Sequence, residues 1–224
     1  MAKVGVCLSG CGVFDGSEIH EAVACLLALD RAGAQVTCMA PDATLDVVDH
    51  LTGKPTGEKR NVLVESARIA RGEITDIAQV KSQDLDAIIF PGGFGAAKNL
   101  CDFASSGAAA KVHPDVARLL REMLSAKKPI GVVCIAPAMM AAFLRDEGVK
   151  ASLTIGTDKG TAEALEAMGT KHEDCPVEEF VVDEEHKIVS TPAYMLAGRI
   201  SEAAGGIERL VNEVLRLVPH KTSV

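Results

Sequence analysis

The sequence predicts an α/β fold with a mainly parallel sheet that is covered by helices on both faces. Apolar segments of strand length alternate with helical segments, an order that favours parallel strands joined by right-handed crossovers. The 224 residues are 48% apolar, with no Trp, one Tyr and six Phe, so the core must be mostly aliphatic. Because single α/β domains reach this length, we expect one domain over residues 1–224.

The N-terminal half supplies three predicted strands. Residues 3–9 and 35–40 are short apolar runs, and residues 86–90 end in the uncharged run Ala-Ile-Ile-Phe, which is typical of a buried parallel strand. Between the second and third strands we expect a loop-rich insertion, followed by a helix over residues 61–71 that Gly72 ends.

The first helix is predicted to begin near Asp15 or Ser17, because Asp15 and Glu18 have the spacing of a capping box. Its residues 22–29 carry no charge on any face. A helix that is apolar all round is covered on more than one side, and a second subunit is one candidate for the additional cover.

The C-terminal half continues the alternation after a short helix that begins at Ala96 or Ala97. The segments predicted there are helices over 115–126, 135–144, 161–168 and 200–218, a strand over 130–133, and a hairpin of 180–183 with 187–191. Ligands of such folds bind outside the carboxyl ends of the strands. This rule brings the loop at Gly10, the loop at Pro91 and Cys134 to one rim.

Charge and hydropathy argue against two classes of partner. The net charge is −8 with a pI near 5.3, and no cluster of basic residues stands out, so we expect no nucleic-acid partner. No apolar stretch reaches the roughly 18 residues that a membrane span needs, so we expect no membrane partner either.

The cysteines indicate a reducing compartment. Their number is odd, no C-x-x-C pair occurs, and no histidine pair has zinc spacing. We therefore expect neither disulfides nor structural zinc, and we predict a cytoplasmic location. The seven are Cys7, Cys11, Cys25, Cys38, Cys101, Cys134 and Cys175.

Cys134 is the candidate nucleophile. It follows Gly131-Val-Val and precedes Ile-Ala-Pro, so it lies where a strand feeds a helix through a tight turn. The positive end of that helix is expected to lower the pKa of the thiol. A buried core cysteine at a strand end is an equally good interpretation of the position alone.

Two further features could serve such a nucleophile. The loop of residues 91–95, Pro-Gly-Gly-Phe-Gly, leaves backbone amides uncovered, and the N–H groups of Gly93 and Ile135 would form an oxyanion hole beside Cys134. A phosphate cradle or a purely structural turn are the alternatives for this loop. Glu21 lies in the first turns of a helix whose next eight residues are uncharged. A carboxylate buried there would hold a proton and act as general acid and base. A solvated glutamate at a helix start is the alternative there.

Taken together, the motifs resemble the ThiJ/PfpI superfamily and, more narrowly, its ElbB branch. The resemblance rests on residues 9–21 (SGCGVFDGSEIHE), residues 91–100 (PGGFGAAKNL) and residues 134–139 (CIAPAM). Residues 60–72, 155–158 and 191–195 support the same branch, so the resemblance covers nearly the whole chain.

This resemblance implies a flavodoxin-like three-layer sandwich of the class I glutamine amidotransferase-like type, usually dimeric. Cys134 would be the nucleophile, Glu21 the carboxylate that hydrogen-bonds it, and Gly93 and Ile135 the oxyanion-hole amides. ElbB-type proteins are described as glyoxalases that convert glyoxal to glycolate without glutathione, an activity that can be the visible side of a deglycase. They are also linked by name to isoprenoid biosynthesis. The implied mechanism uses a small aldehyde substrate and no cofactor.

The sequence differs from the motifs of several related enzymes, and these differences argue against some activities of the superfamily. Ile135 stands where superfamily proteases carry a histidine, which argues against proteolysis. The elbow lacks the Gly-x-Cys-x-Gly pattern of amidotransferases, and their downstream His-x-Glu is also missing. Residues 154–158 offer no histidine such as many superfamily glyoxalases use. A non-enzymatic redox sensor or chaperone-like dimer therefore remains the alternative.

Overall fold

A computed structural model describes residues 1–219. The strands are β1 Lys3–Cys7, β2 Gln35–Ala40, β3 Thr44–Asp49, β4 Lys54–Asn61, β5 Thr75–Asp76, β6 Ala87–Phe90, β7 Ile130–Val133, β8 Ser152–Leu153, β9 Lys171–His172, β10 Val181–Asp183 and β11 Ile188–Thr191. The α-helices are α1 Ile19–Arg31, α2 Val62–Ile69, α3 Phe94–Lys98, α4 Phe103–Ser106, α5 Pro114–Ser125, α6 Ala136–Glu147, α7 Lys159–Ala167 and α8 Ile200–Leu217. Short 3₁₀ turns lie at Ile77–Gln79, Ser82–Asp84, Gly107–Ala109 and Ala193–Met195.

The central sheet has seven strands in the order β10-β11-β7-β6-β1-β2-β5. Every neighbouring pair is parallel except β10 with β11, which form the predicted hairpin and lie at one edge of the sheet. The predicted α/β class with a mainly parallel sheet is therefore confirmed. The carboxyl ends of β1, β6 and β7 lie side by side in this order, which brings the loops that follow them together.

The sheet is packed between two helix layers. Strands β6, β7 and β11 are fully buried, because both of their faces meet apolar helix side chains. One core cluster joins the sheet to α5 and α6. The other joins it to α1 and α8. This is the three-layer sandwich that the resemblance implied. Within residues 1–219, no helix has both the length and the apolar character needed to cross a bilayer.

The prediction of a loop-rich insertion after β2 is wrong. Strands β3 and β4 form an antiparallel hairpin there. Leu45 and Val48 of β3 are buried, whereas nearly all of β4 is exposed. A solvated strand carries no apolar alternation, and its charged sequence, KPTGEKRN, therefore concealed it.

The predicted capping box at the start of α1 is also wrong. Glu18 is the N-cap residue, and its Oε2 accepts a hydrogen bond from the Glu21 N–H at 2.7 Å. Asp15 instead accepts from the Val48 N–H at 2.8 Å. A tertiary partner in β3 thus takes the carboxylate that local spacing assigned to the helix.

Candidate active site

Three loops meet at the carboxyl edge of the sheet, as the strand order requires. The loop after β1 contacts the loop after β6 through backbone hydrogen bonds, with the Phe94 N–H donating to the Val13 carbonyl at 2.8 Å and the Gly95 N–H to the Gly16 carbonyl at 2.9 Å. Cys134 follows β7 on the same rim. The predicted convergence of these segments is confirmed.

Cys134 occupies a strained turn between β7 and α6. Its φ is +61°, in the left-handed region that non-glycine residues seldom adopt, and its N–H donates to the Thr191 carbonyl at 2.9 Å. Such a conformation costs on the order of 1–3 kcal/mol and persists only where the surroundings enforce it. The turn has the form of a nucleophile elbow. The side chain is only 7% exposed and faces a cavity.

Glycines allow the loop after β6 to approach Cys134. A Cβ on Gly92 would overlap the Cβ of Cys134 and would lie 2.5 Å from Oε2 of Glu21. Gly93 has a φ of +94°, which favours glycine. As a result, the backbone amides of Gly93 and Ile135 interact with the Cys134 sulfur.

Glu21 is fully buried beside the thiol. Its Oε2 accepts from the Gly92 N–H at 3.0 Å, its Oε1 accepts from the Tyr194 N–H at 3.1 Å, and it shares a hydrogen bond with Cys134. Burial, aided by the nearby Glu18 carboxylate, raises the pKa of Glu21 from 4.5 to about 7. Of the two interpretations that the sequence left open for Glu21, the structure supports the buried carboxylate and not the solvated one.

The expected lowering of the Cys134 pKa is wrong in its net direction. Burial raises the pKa of the Cys134 thiol well above its ordinary value, and the charge of an ionised Glu21 raises it further. The amides of Gly93 and Ile135 lower it, but by less. Sequence reasoning identified the favourable helix end and omitted desolvation, which depends on tertiary packing. The thiol and the carboxyl therefore act as a coupled pair that holds a proton at neutral pH.

A cavity of about 440 Å³ opens over the sulfur, a volume in the usual range for small-molecule sites. Its surface combines apolar side chains, backbone of the elbow and two carboxylates. The lining residues are Val13, Glu18, Gly93, Phe94, Cys134, Ile135, Asp158, Thr161, Tyr194 and Met195.

The four predicted site residues, Glu21, Gly93, Cys134 and Ile135, lie together. Sequence reasoning missed the amides of Gly92 and Tyr194 as partners of Glu21. Both residues lie within motifs that carried the family resemblance, which was the available signal, but the pairing spans 71 residues in one case and 173 in the other.

His20 does not face the thiol. Its Nδ1 lies 2.8 Å from the Tyr194 hydroxyl, and its side chain is 53% exposed. All seven cysteines are free thiols. Among residues 1–219, no group of His, Cys, Asp or Glu side chains is arranged to hold a metal ion.

The chain is similar to a known protein family and to several of its members. Residues 11–194 match the model of the DJ-1/PfpI family. The human protein named glutamine amidotransferase-like class 1 domain-containing protein 3, mitochondrial, is 49% identical over 227 residues, which cover 96% of this chain and 83% of that protein. The ES1 protein, mitochondrial, of Danio rerio is 33% identical over 233 residues, with 96% and 86% covered.

Solved structures with the same fold include one that is also similar in sequence. A crystal structure from Ehrlichia chaffeensis, described as an isoprenoid biosynthesis protein with amidotransferase-like domain, is 39% identical and superposes with a TM-score of 0.91, covering 98% of this chain and all of that one. DJ-1beta of Drosophila melanogaster is 20% identical with a TM-score of 0.58, covering 97% and 96%, and it shares the fold.

Proposed function

Because this chain belongs to the DJ-1/PfpI family, we propose that it is a cysteine-dependent glyoxalase that converts glyoxal or methylglyoxal to the hydroxy acid without glutathione. The observation that carries the proposal is the buried pair of Cys134 and Glu21 with two amides at the sulfur. These groups supply a nucleophile, a proton carrier and an oxyanion site at one point. The family contains enzymes; this reaction is the specific activity proposed here.

In the first step, the Glu21 carboxylate takes the proton of the Cys134 thiol, and the resulting thiolate adds to the aldehyde carbon. A carbon–sulfur bond forms, the electron pair of the carbonyl moves to oxygen, and the alkoxide accepts hydrogen bonds from the N–H groups of Gly93 and Ile135. Glu21 in its acid form donates the proton that completes the hemithioacetal. A pKa of about 7 makes the carboxyl available as both acid and base near neutral pH.

The second step moves hydrogen within the bound substrate. The Glu21 carboxylate removes the proton from the carbon attached to sulfur and passes it to the neighbouring carbonyl oxygen, giving an enediol. It then moves the proton of the hydroxyl on the first carbon to the neighbouring carbon. The first carbon is thereby oxidised to a thioester and the second is reduced to an alcohol, so no external oxidant is consumed. Water then hydrolyses the thioester, releasing glycolate or lactate and restoring the thiol.

The test is acid formation from glyoxal and methylglyoxal by the purified protein without added thiol. Wild type should form glycolate and lactate, Cys134→Ala should form neither, and Cys11→Ala should match wild type. Equal rates in wild type and Cys134→Ala would refute the proposal. Selective oxidation of Cys134 by peroxide, together with such background rates, would support the redox-sensor alternative instead.

We also propose that the protein is a homodimer that uses the outer face of α1. This helix buries Ala22, Cys25 and Leu29 inside the subunit. The side chains of Ile19, Val23 and Leu27, spaced four residues apart, are 42%, 49% and 45% exposed. An apolar stripe of this kind favours a protein contact. Sedimentation should give a dimer for wild type and a monomer for Val23→Glu combined with Leu27→Glu. A wild-type monomer would refute the assignment.

For location, we propose a reducing compartment, since all seven thiols are free, and the cytoplasm is the prediction from sequence. Some relatives are named as mitochondrial proteins. Fractionation of cells that express the full protein separates the two locations.

A further inference from the structure

The cavity over Cys134 is negatively charged in a way that the proposed reaction does not require. Two of its lining side chains are carboxylates, Glu18 and Asp158, and no lysine or arginine of residues 1–219 is part of the lining. Glyoxal and methylglyoxal are uncharged, so neither carboxylate has a role in binding them. The cavity is therefore suited to a substrate that differs from these two in charge.

Glu18 holds its charge in a fixed position with little water around it. Its N–H donates to the Gly92 carbonyl at 2.9 Å, and its Oε2 caps α1 at the Glu21 N–H. The side chain is only 12% exposed. Burial is the main cause of the raised pKa values of Glu21 and Tyr194, and the nearby charge of Glu18 adds to both.

Asp158 comes from a different element and is also fixed by capping. It is the N-cap residue of α7, and its Oδ1 accepts from the Thr161 N–H at 2.8 Å. Hydrogen bonds from the backbone and side chain of Thr161 lower the pKa of Asp158, so it is ionised at neutral pH. The cavity therefore has carboxylates from two separate helix starts.

Two basic side chains, Lys98 and His20, lie against residues that line this cavity. The Lys98 ammonium donates to the Phe14 carbonyl at 2.9 Å and lies 5.4 Å from the centre of the Phe94 ring. His20, which is titratable, lies against the Tyr194 hydroxyl, and its Nδ1 is 3.9 Å from Oε1 of Glu18. Within residues 1–219, Asp158 takes part in no ion pair, and Glu18 has a positive neighbour only when His20 is protonated, so the pair of carboxylates retains capacity for a positive group on a ligand.

We infer that Glu18 and Asp158 select substrates by charge, so that the site prefers small carbonyl compounds bearing an ammonium or guanidinium group and rejects those bearing a carboxylate. The inference takes its reaction from the proposed function, but the charge preference depends only on the cavity. A like charge brought near these carboxylates is repelled and an opposite charge is attracted, and Glu18, whose side chain is only 12% exposed, should contribute more than Asp158, which is exposed to solvent.

The experiment measures the charge preference of Cys134 without requiring turnover. Methanethiosulfonates react with a thiolate to form a mixed disulfide and release methanesulfinate, which balances the step. Reagents that transfer an aminoethyl group, a sulfonatoethyl group or an uncharged methyl group are reacted with the full protein. Labelling of the peptide that contains Cys134 is followed by mass spectrometry, and each rate is divided by the rate with 2-mercaptoethanol.

In wild type, the cationic reagent should label Cys134 at least tenfold faster than the anionic one after this correction, and added salt should reduce the ratio. Asp158→Asn keeps a good N-cap residue and should reduce the ratio severalfold, as should Glu18→Gln. Glu166→Gln, which removes an exposed carboxylate from the same helix outside the cavity, should leave the ratio unchanged. An equal ratio in wild type and Asp158→Asn, or a wild-type ratio near one, would overturn the inference.

The outcomes separate this inference from the proposed function. A charge preference without acid formation from methylglyoxal would retain the charge selection and refute the glyoxalase. Acid formation without a charge preference would support the glyoxalase and refute the charge selection.

Discussion

The region around Cys134 and the β3–β4 hairpin contain similar residue types in opposite environments. Glu21 is fully buried at the elbow, and burial raises its pKa. Glu58 in the hairpin is exposed, and its partner Arg60 lowers its pKa. The comparison teaches that surroundings, rather than residue type, determine whether a carboxyl can carry protons near neutral pH.

The largest expected effect is on the rate of acid formation, and it is tested by changing one glutamate to glutamine in each region separately. Glu21→Gln should reduce acid formation from glyoxal by about 10²–10⁴-fold, because the amide cannot exchange a proton. Glu58→Gln makes the same chemical change on the solvated strand and should retain the wild-type rate. Steady-state assays on both variants test this. Equal rates in the two variants would show that buried Glu21 has no chemical role.

The pH dependence of stability should differ between the same two variants. Because the Glu21 pKa is raised, the folded state holds this proton more tightly than the unfolded state, and ionisation destabilises the fold. This stabilisation is fully present below about pH 4.5 and is lost as pH rises through about 7. The unfolding free energy of Glu21→Gln, relative to wild type, should therefore rise by about 3 kcal/mol across that window.

Urea titrations at several pH values provide the measurement. Since the Glu58 pKa is lowered, Glu58→Gln should show the opposite trend at acidic pH, with its stability relative to wild type rising as pH falls. A pH-independent difference between Glu21→Gln and wild type would contradict the raised pKa.

Glycine substitutions sharpen the contrast in packing. Gly92→Ala places a methyl group against Cys134 and Glu21, whereas Gly57→Ala in the hairpin meets no atom within 4 Å but forces an alanine to a φ of +81°. Each should lower the unfolding free energy by about 1–3 kcal/mol, from overpacking at Gly92 and from backbone strain at Gly57. Only Gly92→Ala should reduce turnover, because only it displaces the reacting groups. Loss of turnover in a folded Gly57→Ala variant would show that the hairpin contributes to the site.

The smallest expected effect is at a hairpin ion pair. Lys59 Nζ lies 2.5 Å from Asp46 Oδ1, but the two side chains are 65% and 75% exposed. Solvent screening reduces the value of such pairs, so Lys59→Ala should change the unfolding free energy by less than about 0.5 kcal/mol. Denaturant titration measures the change. A loss above about 1 kcal/mol would mean that exposed pairs stabilise this hairpin.

Much of the order of strands and helices could be predicted because apolar runs indicate buried strands. Strands β2 and β7 have the predicted bounds, and the order of strands and helices placed Cys134 beside the loop of residues 91–95. The hairpin was missed because a solvated strand has no apolar pattern, and the start of α1 was misplaced because Asp15 bonds to a residue 33 positions away.

The sequence by itself determined the fold class, the position of Cys134 at a strand end and the candidate site residues, since periodicity and turn residues are local properties. The tertiary structure alone decided the direction of the Cys134 pKa, the amide partners of Glu21, and the presence of Glu18 and Asp158 at one cavity. Those features depend on desolvation and on contacts between distant segments. Neither the desolvation nor these contacts arise until the chain is packed.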